Sequence, residues 1–284
     1  MGEAPLLPTF FVIGAPKAGT TSLNNYLAGH PEIAMTEPKE LHLMAGADWR
    51  QRAAAYADHF KRKAEIRGDC SPRYSVHPHN PLVSEHIAEL VPDARFIYMV
   101  RDPVDRTIAN YAQTVVHGGQ RQPLELAVRP EDPLNYYITG SRYASQLEIY
   151  LRRFDQDRFL VIDQADLREH RRRALRRAFA HVGADPDFWD TEFALEYNVR
   201  GADNVQLGRI GRRLRGSRLN RLSRQLFPTR ARRRALAPVR RALGSGGLDP
   251  EATPEFRARL AEALAPEAER LRRLTGQSFE SWSV

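Results

Sequence analysis

Continuous apolar runs and helix-spaced apolar positions alternate along most of the chain. Phe10-Phe11-Val12-Ile13 is an unbroken apolar run, Gly14 to Thr21 is loop-like, and Leu23, Tyr26 and Leu27 then recur at helical spacing, so the opening reads strand, loop, helix. A second strand is predicted at Phe96-Ile97-Tyr98-Met99-Val100, after a helical stretch with Val83, Ile87 and Leu90 on one face and a break at Pro92-Asp93. Both runs lack alternation, which predicts parallel strands in the middle of a sheet. After Arg101-Asp102-Pro103 comes a helix with Val104, Ile108, Tyr111 and Val115 in register. Another carries Tyr143, Leu147, Tyr150, Leu151 and Phe154 into a strand at Phe159-Leu160-Val161-Ile162.

Strands alternating with helices predict an α/β fold, a central parallel sheet with helices on both faces. Beyond Phe179 the chain turns helical and arginine-rich, with a glycine-rich break at Gly244 to Gly247. A final helical pair is predicted, with Phe256, Leu260 and Leu264 before Pro266 and Leu271 and Leu274 after it; Pro266 is expected to open the second helix. The expectation is one domain over residues 1–284: an α/β core at 9–200, an arginine-rich segment at 201–248, and C-terminal helices at 249–284.

Composition adds little until charge is located. The 284 residues, 42% hydrophobic and 27% charged, suit a folded globular chain and not a disordered or membrane class. The apolar runs are far shorter than the roughly 20 residues of a spanning helix, and the start lacks a secretory pattern, so a cytoplasmic location is expected. The single cysteine, Cys70, agrees with a reducing compartment. The formal net charge is +8, yet thirteen arginines and no acidic residue fall between Asn204 and Leu248, so the remainder carries −5. The basic character is one local element, which excludes a uniformly basic nucleic-acid-binding surface.

The candidate chemistry begins at Gly14-Ala15-Pro16-Lys17-Ala18-Gly19-Thr20-Thr21-Ser22, where a strand ends and a helix begins. Such a loop aims backbone N–H groups and the positive end of a helix dipole at one place, an anion site. Thr20, Thr21 and Ser22 can add hydroxyl donors. A nucleotide kinase or hydrolase would carry lysine directly after the last glycine and hold magnesium with the next hydroxyl. Here Thr20 follows Gly19 and the loop's lysine is Lys17, on its crest, where it can neutralise the bridging oxygen of a leaving group without a metal.

The loop from Pro16 to Leu23 resembles the 5′-phosphosulfate loop of sulfotransferases that use 3′-phosphoadenosine 5′-phosphosulfate (PAPS). Arg101-Asp102-Pro103-Val104-Asp105-Arg106 is similar to that family's 3′-phosphate motif. Pro38-Lys39-Glu40-Leu41-His42-Leu43 and Asp69-Cys70-Ser71-Pro72-Arg73-Tyr74 resemble segments of its carbohydrate branch, which includes the heparan sulfate enzymes and many bacterial members. Leu271 to Trp282 looks like the end of bacterial members.

The resemblance implies a P-loop-like sulfotransferase fold and PAPS as donor, bound by Lys17, Ala18, Gly19, Thr20, Thr21, Ser22 and Arg101, with Arg200 and Gly201 in a segment that folds over the nucleotide. It implies no metal. Sulfuryl transfer needs the acceptor's proton removed, and a carboxylate in a dry cleft can take it, which makes Glu40 the candidate base and His42 the second. For Arg101 the bland alternative is an ion pair with Asp102 or Asp105; for Glu40 it is a helix-start carboxylate. The serine that many members place eight residues after the arginine is Ala109 here, with Thr107 and Asn110 beside it. Cys70 stands where the glycosaminoglycan enzymes carry lysine, which disfavours a highly sulfated glycan acceptor.

Three functions stay open on the sequence. The first is sulfuryl transfer to a hydroxyl or amine of a sugar, lipid or small metabolite. The second is a P-loop nucleotide kinase or other phosphotransferase, against which the lysine's position counts. The third is a non-catalytic binder of acidic surfaces through the arginine-rich segment. That segment, by default an amphipathic surface helix, reads alternatively as a positive lid over the donor or, across residues 204–243, as a peripheral contact with an anionic membrane. No specific nucleic-acid partner is expected.

Overall fold

The computed structural model describes residues 6–194 and 252–284. Five strands are present there: β1 (Phe10–Gly14), β2 (Ile33–Met35), β3 (Ile66–Cys70), β4 (Arg95–Val100) and β5 (Phe159–Asp163). They form one sheet in the order β2-β3-β1-β4-β5, and every neighbouring pair is parallel. β1 and β4 are the two runs predicted to be central, and they pair with Phe11 opposite Phe96. All of β1 is buried, as is β4 from Phe96 onward. Strands covered on both faces have no polar side to show, hence no alternation.

β2 and β3 were not visible as apolar runs. β2 has only three residues, and β3 reads Ile-Arg-Gly-Asp-Cys. Gly68 is required for space, because a Cβ there would come within 2.3 Å of the Phe10 ring and 2.5 Å of Met35 Sδ. Asp69 is fully buried yet accepts the hydroxyls of Tyr56 (2.7 Å), Ser71 (2.8 Å) and Tyr74 (3.1 Å). A carboxylate supplied with three donors can sit in a core strand that composition would call polar.

Six helices of eight residues or more lie among the described residues: α1 (Thr20–Gly29), α2 (Val83–Leu90), α3 (Pro103–Val116), α4 (Tyr143–Leu151), α5 (Arg171–Val182) and α6 (Pro254–Thr275). The chain steps from β1 outward to β2 and then, from β3, in the opposite direction to β4 and β5. Parallel crossovers are right-handed as a rule, so crossovers in two directions put helices on both faces of the sheet, as predicted. The reversal of strand order falls around β1, which is where open α/β sheets form their ligand crevice.

The predicted C-terminal helix pair is corrected to a single helix. α6 runs unbroken through Pro266. An interior proline costs about 3 kcal/mol through the lost hydrogen bond and the crowded preceding turn. Packing on both sides of it opposes that cost. Phe256, Leu260 and Leu264 join Val104, Ile108 and Tyr111 of α3 in a satellite core, while Ala268 and Leu271 enter the main core. Immediately after the proline, buried Glu267 accepts hydrogen bonds from the Ser145 amide (3.0 Å) and hydroxyl (2.7 Å), from Arg270 (2.8 Å) and from Arg142 (3.2 Å).

Those four donors make Glu267, and not the proline, the sensitive position of the helix. Glu267→Ala is expected to lower unfolding free energy by about 2–3 kcal/mol, since it strands charged and amide donors that met a carboxylate. In a thermal melt this reads as a drop of roughly 5–10 °C. An unchanged midpoint would show that the α4–α6 joint does not depend on this carboxylate.

Candidate functional site

Three loops meet at the C-terminal edge of the sheet because β3, β1 and β4 are adjacent and point the same way. The first follows β1. Its Ala15 N–H donates to Met99 O of β4 (2.6 Å), and its Pro16 carbonyl accepts from Arg106 Nε (3.0 Å). Lys17 sits on the crest with φ 72°, and Gly19 opens α1 with φ 89°, a conformation in which glycine carries no Cβ penalty. The Ala18 N–H bonds to Ala15 O (3.1 Å), and the Ser22 N–H bonds back to Gly19 O (3.0 Å). Those two predicted donor-binding residues therefore have their amides engaged inside the loop. Among the described residues, the amides of Gly19, Thr20 and Thr21 remain as the donors of the helix start.

The second loop carries Glu40 and His42 and is fastened to the end of β3. The Glu40 N–H donates to Cys70 O (3.1 Å), the His42 N–H to Ser71 Oγ (3.2 Å) and the Met44 N–H to the Tyr74 hydroxyl (3.0 Å). The Ser71 and Tyr74 hydroxyls in turn donate hydrogen bonds to Asp69. One buried carboxylate thus polarises two hydroxyls so that both accept from the loop. Burial pushes the Asp69 carboxyl above its usual range, against the pull of the Tyr56, Ser71 and Tyr74 hydroxyls. Cys70 is buried and its Sγ lies 3.7 Å from Thr20 O, so it ties this loop to the start of α1. Burial raises its thiol to about 12, which excludes thiolate chemistry at neutral pH.

Glu40 differs from the dry-cleft carboxylate predicted from sequence. Its side chain is 46% exposed and ion-pairs with Lys39, and one carboxylate oxygen lies 4.0 Å from His42 Nε2. It sits on the rim, where the loop turns sharply; Glu40 and His42 both have left-handed φ, 68° and 54°. Burial lowers the His42 pKa, and Arg73, Lys39 and Arg52 add to this against the opposing charge of Glu40. The imidazole is therefore neutral near pH 7. Its ring stands edge-on to Tyr74 at 6.0 Å.

The third loop follows β4. Arg101 donates to Asp105 Oδ2 (2.8 Å), and Arg257 from α6 donates to Asp105 Oδ1 (2.8 Å). The bland ion pair foreseen for Arg101 is present, but one carboxylate serves two guanidiniums and a positive charge is left over. Burial works against the Asp105 charge, yet the hydrogen bonds from Arg257 and Arg101 hold its carboxyl below the usual range. On α3, Thr107 is spent internally, bonding Pro103 O (2.8 Å) and Ser141 Oγ (2.7 Å). Asn110 is buried, and its Nδ2 has no partner among the described residues.

The structure therefore brings Lys17, Gly19, Thr20, Thr21, Glu40, His42 and Arg101 to one edge. Arg200, Gly201 and the arginine-rich segment lie outside the described residues. Sequence reasoning gave no role to Arg106, Arg257 or Asp69. The helical phase of Arg106, four residues before Asn110, was the available signal for the first, and the Asp69–Tyr74 motif for Asp69; nothing local marks Arg257. Among the described residues, no group of three His, Cys, Asp or Glu side chains could hold a metal ion, and no helix is long and apolar enough to cross a membrane.

Comparison with known proteins agrees with this geometry. Residues 48–190, half of the chain, match the family model described as Sulfotransferase family. The membrane-associated sulfotransferase kil1 of Dictyostelium discoideum is 32% identical over 120 residues, covering 39% of this chain and 24% of that protein. The human bifunctional heparan sulfate N-deacetylase/N-sulfotransferase 3 is 29% identical over 183 residues, covering 57% of this chain and 20% of that protein. The chain thus spans about a fifth to a quarter of the length of these curated relatives. A solved sulfotransferase from Alicyclobacillus acidocaldarius superposes with a TM-score of 0.67 at 22% identity, covering 98% of this chain and 100% of its own, a likeness of fold. With the family model matched over half its length, and the phosphate-type loop and its flanking arginine on one sheet edge, the chain belongs to the sulfotransferase family.

Proposed function

We propose that the protein transfers a sulfuryl group from PAPS to an acceptor hydroxyl or amine, in line and without a metal. The observation that carries this reading is conformational. Lys17, Glu40 and His42 are three of the five non-glycine residues with left-handed φ among the described residues, and all three stand on the loops of one sheet edge. Non-glycine residues hold that conformation at a cost of order 1–3 kcal/mol each, and such positions cluster where side chains must be aimed.

In this reading the amides of Gly19, Thr20 and Thr21 hold the 5′-phosphosulfate at the start of α1. Arg101 meets the 3′-phosphate with a guanidinium fork, and the Asn110 amide supplies the α3 donor that Ala109 lacks. The acceptor oxygen or nitrogen attacks sulfur as the bond to the bridging phosphate oxygen breaks. Lys17 neutralises the charge growing on that oxygen, and Glu40 takes the acceptor's proton. The acceptor is a sugar, lipid or small metabolite. The names of the heparan sulfate relatives favour a glycan amine or hydroxyl. The apolar, buried Cys70 offers no charge to a highly sulfated chain.

Adenosine 3′,5′-bisphosphate, the product nucleotide, is expected to raise the melting temperature in the presence of EDTA, since a ligand that binds only the folded state adds stability by mass action. No shift at millimolar nucleotide would remove the donor assignment. Lys17→Ala should cut transfer by about 10²- to 10³-fold while weakening product-nucleotide binding far less, because its partner charge develops only in the transition state. Equal losses in both would make it a ground-state phosphate ligand. Glu40→Gln should leave nucleotide binding intact and lower transfer by about 10²- to 10⁴-fold, with His42→Ala costing less. The reverse ranking in steady-state assays would assign the base to His42, whose neutral imidazole is competent for it.

A further inference from the structure

Arg106 is the largest fully buried side chain among the described residues, and its hydrogen-bond acceptors are neutral. Nε donates to the Pro16 carbonyl (3.0 Å), and Nη1 donates to the Tyr137 carbonyl (2.7 Å) and to Ser141 Oγ (3.2 Å). Among the described residues no carboxylate forms an ion pair with it; the charged side chain that bears on it most is another cation, Arg101. Gly140 makes the room, since a Cβ there would lie 2.5 Å from Nη2 and 2.7 Å from Cζ. A guanidinium keeps its proton at any working pH, so this is a full positive charge held in the core.

The neutral acceptors of Nε and Nη1 do not balance its charge, and burying an unbalanced ion costs several kcal/mol. A purely structural linker between Pro16, Tyr137 and Ser141 could be an amide or a hydroxyl, at no such cost. The guanidinium instead stands directly behind the loop that carries Lys17, one hydrogen bond from its backbone.

We propose that Arg106 is a positioning residue whose counter-charge is the bound sulfuryl donor: it fixes the loop through Pro16 O and places a permanent cation behind the phosphosulfate. The inference rests on residues 14–22 being an anion site. Lys17 then supplies the charge on the loop's crest and Arg106 the fixed one behind it. The low-dielectric position of Arg106 makes its field reach the anion with little screening by salt. Burial also works against the charged form of Arg106, which agrees with a charge balanced only when an anion is bound.

The test compares Arg106→Gln and Arg106→Lys with wild type by isothermal titration with adenosine 3′,5′-bisphosphate and, separately, with pyrophosphate, alongside thermal melts of the ligand-free proteins. Arg106→Gln is expected to bind both ligands at least about 30-fold more weakly, equivalent to about 2 kcal/mol, and Arg106→Lys to stay within about fivefold of wild type. A structural linker would give the opposite pattern, with a lower ligand-free melting point and unchanged affinity in Arg106→Gln, and that result overturns the proposal. Should the glutamine variant not fold, the lysine variant decides: a folded Arg106→Lys that binds 30-fold more weakly also overturns it. If wild type binds pyrophosphate but not the nucleotide, and the variants rank as expected, Arg106 keeps this role and the donor assignment falls. Binding of neither ligand removes both.

Discussion

Parallel pairing of β1 with β3 on one side and β4 on the other is the constraint on which the rest of the structure depends. Parallel strands end together. The loops after β1, β3 and β4 therefore emerge at one edge, and the helix that must follow β1 begins with its N–H groups facing that edge. Registers of Val12 with Cys70 and of Val12 with Ile97 set the end of β3, to which the Glu40 loop that follows β2 is fastened, beside the loops that follow β1 and β4. Close packing supports that alignment: Gly68 of β3 is paired with Phe10 of β1 and leaves the room that the Phe10 ring fills.

Buried polar groups then fasten each loop to the sheet. Asp69 collects three hydroxyls, two of which accept amides from the Glu40–Met44 stretch. Arg106 reaches from α3 to the Pro16 carbonyl. Glu267 joins α6 to the start of α4 through four donors. Networks of this kind are stable only when every member is satisfied, so they specify one arrangement of the loops more sharply than apolar packing would. Arg106 differs: its acceptors are two neutral carbonyls and a hydroxyl, so its charge is left unbalanced, and it lies behind the loop that follows β1.

The side chains at this edge differ in exposure. Glu40 sits at the rim, exposed and ion-paired with the more buried Lys39. His42 is half-buried and neutral. Arg101 shares Asp105 with Arg257, a residue contributed from the far end of the sequence. The C-terminal helix thus reaches the loop that follows β4 through Arg257.

Much of this was legible in the sequence because it is local. An unbroken apolar run is enough to mark β1 and β4 as central strands, and glycines with a crest lysine after β1 are enough to mark an anion loop, since both depend on neighbours within a few residues. The family resemblance carried Glu40, His42 and Arg101 for the same reason, as short motifs. What only the tertiary structure decided involves long-range partners. β3 was hidden because Gly68 answers to Phe10 and Met35, and Asp69 to Tyr56 and Tyr74. The continuity of α6 was decided by α3 and α4 packing against it, which outweighs a local proline penalty. The uncompensated charge of Arg106 follows from the neutral carbonyls of Pro16 and Tyr137, which only folding brings to it, and no pattern along the chain could have announced their absence of charge.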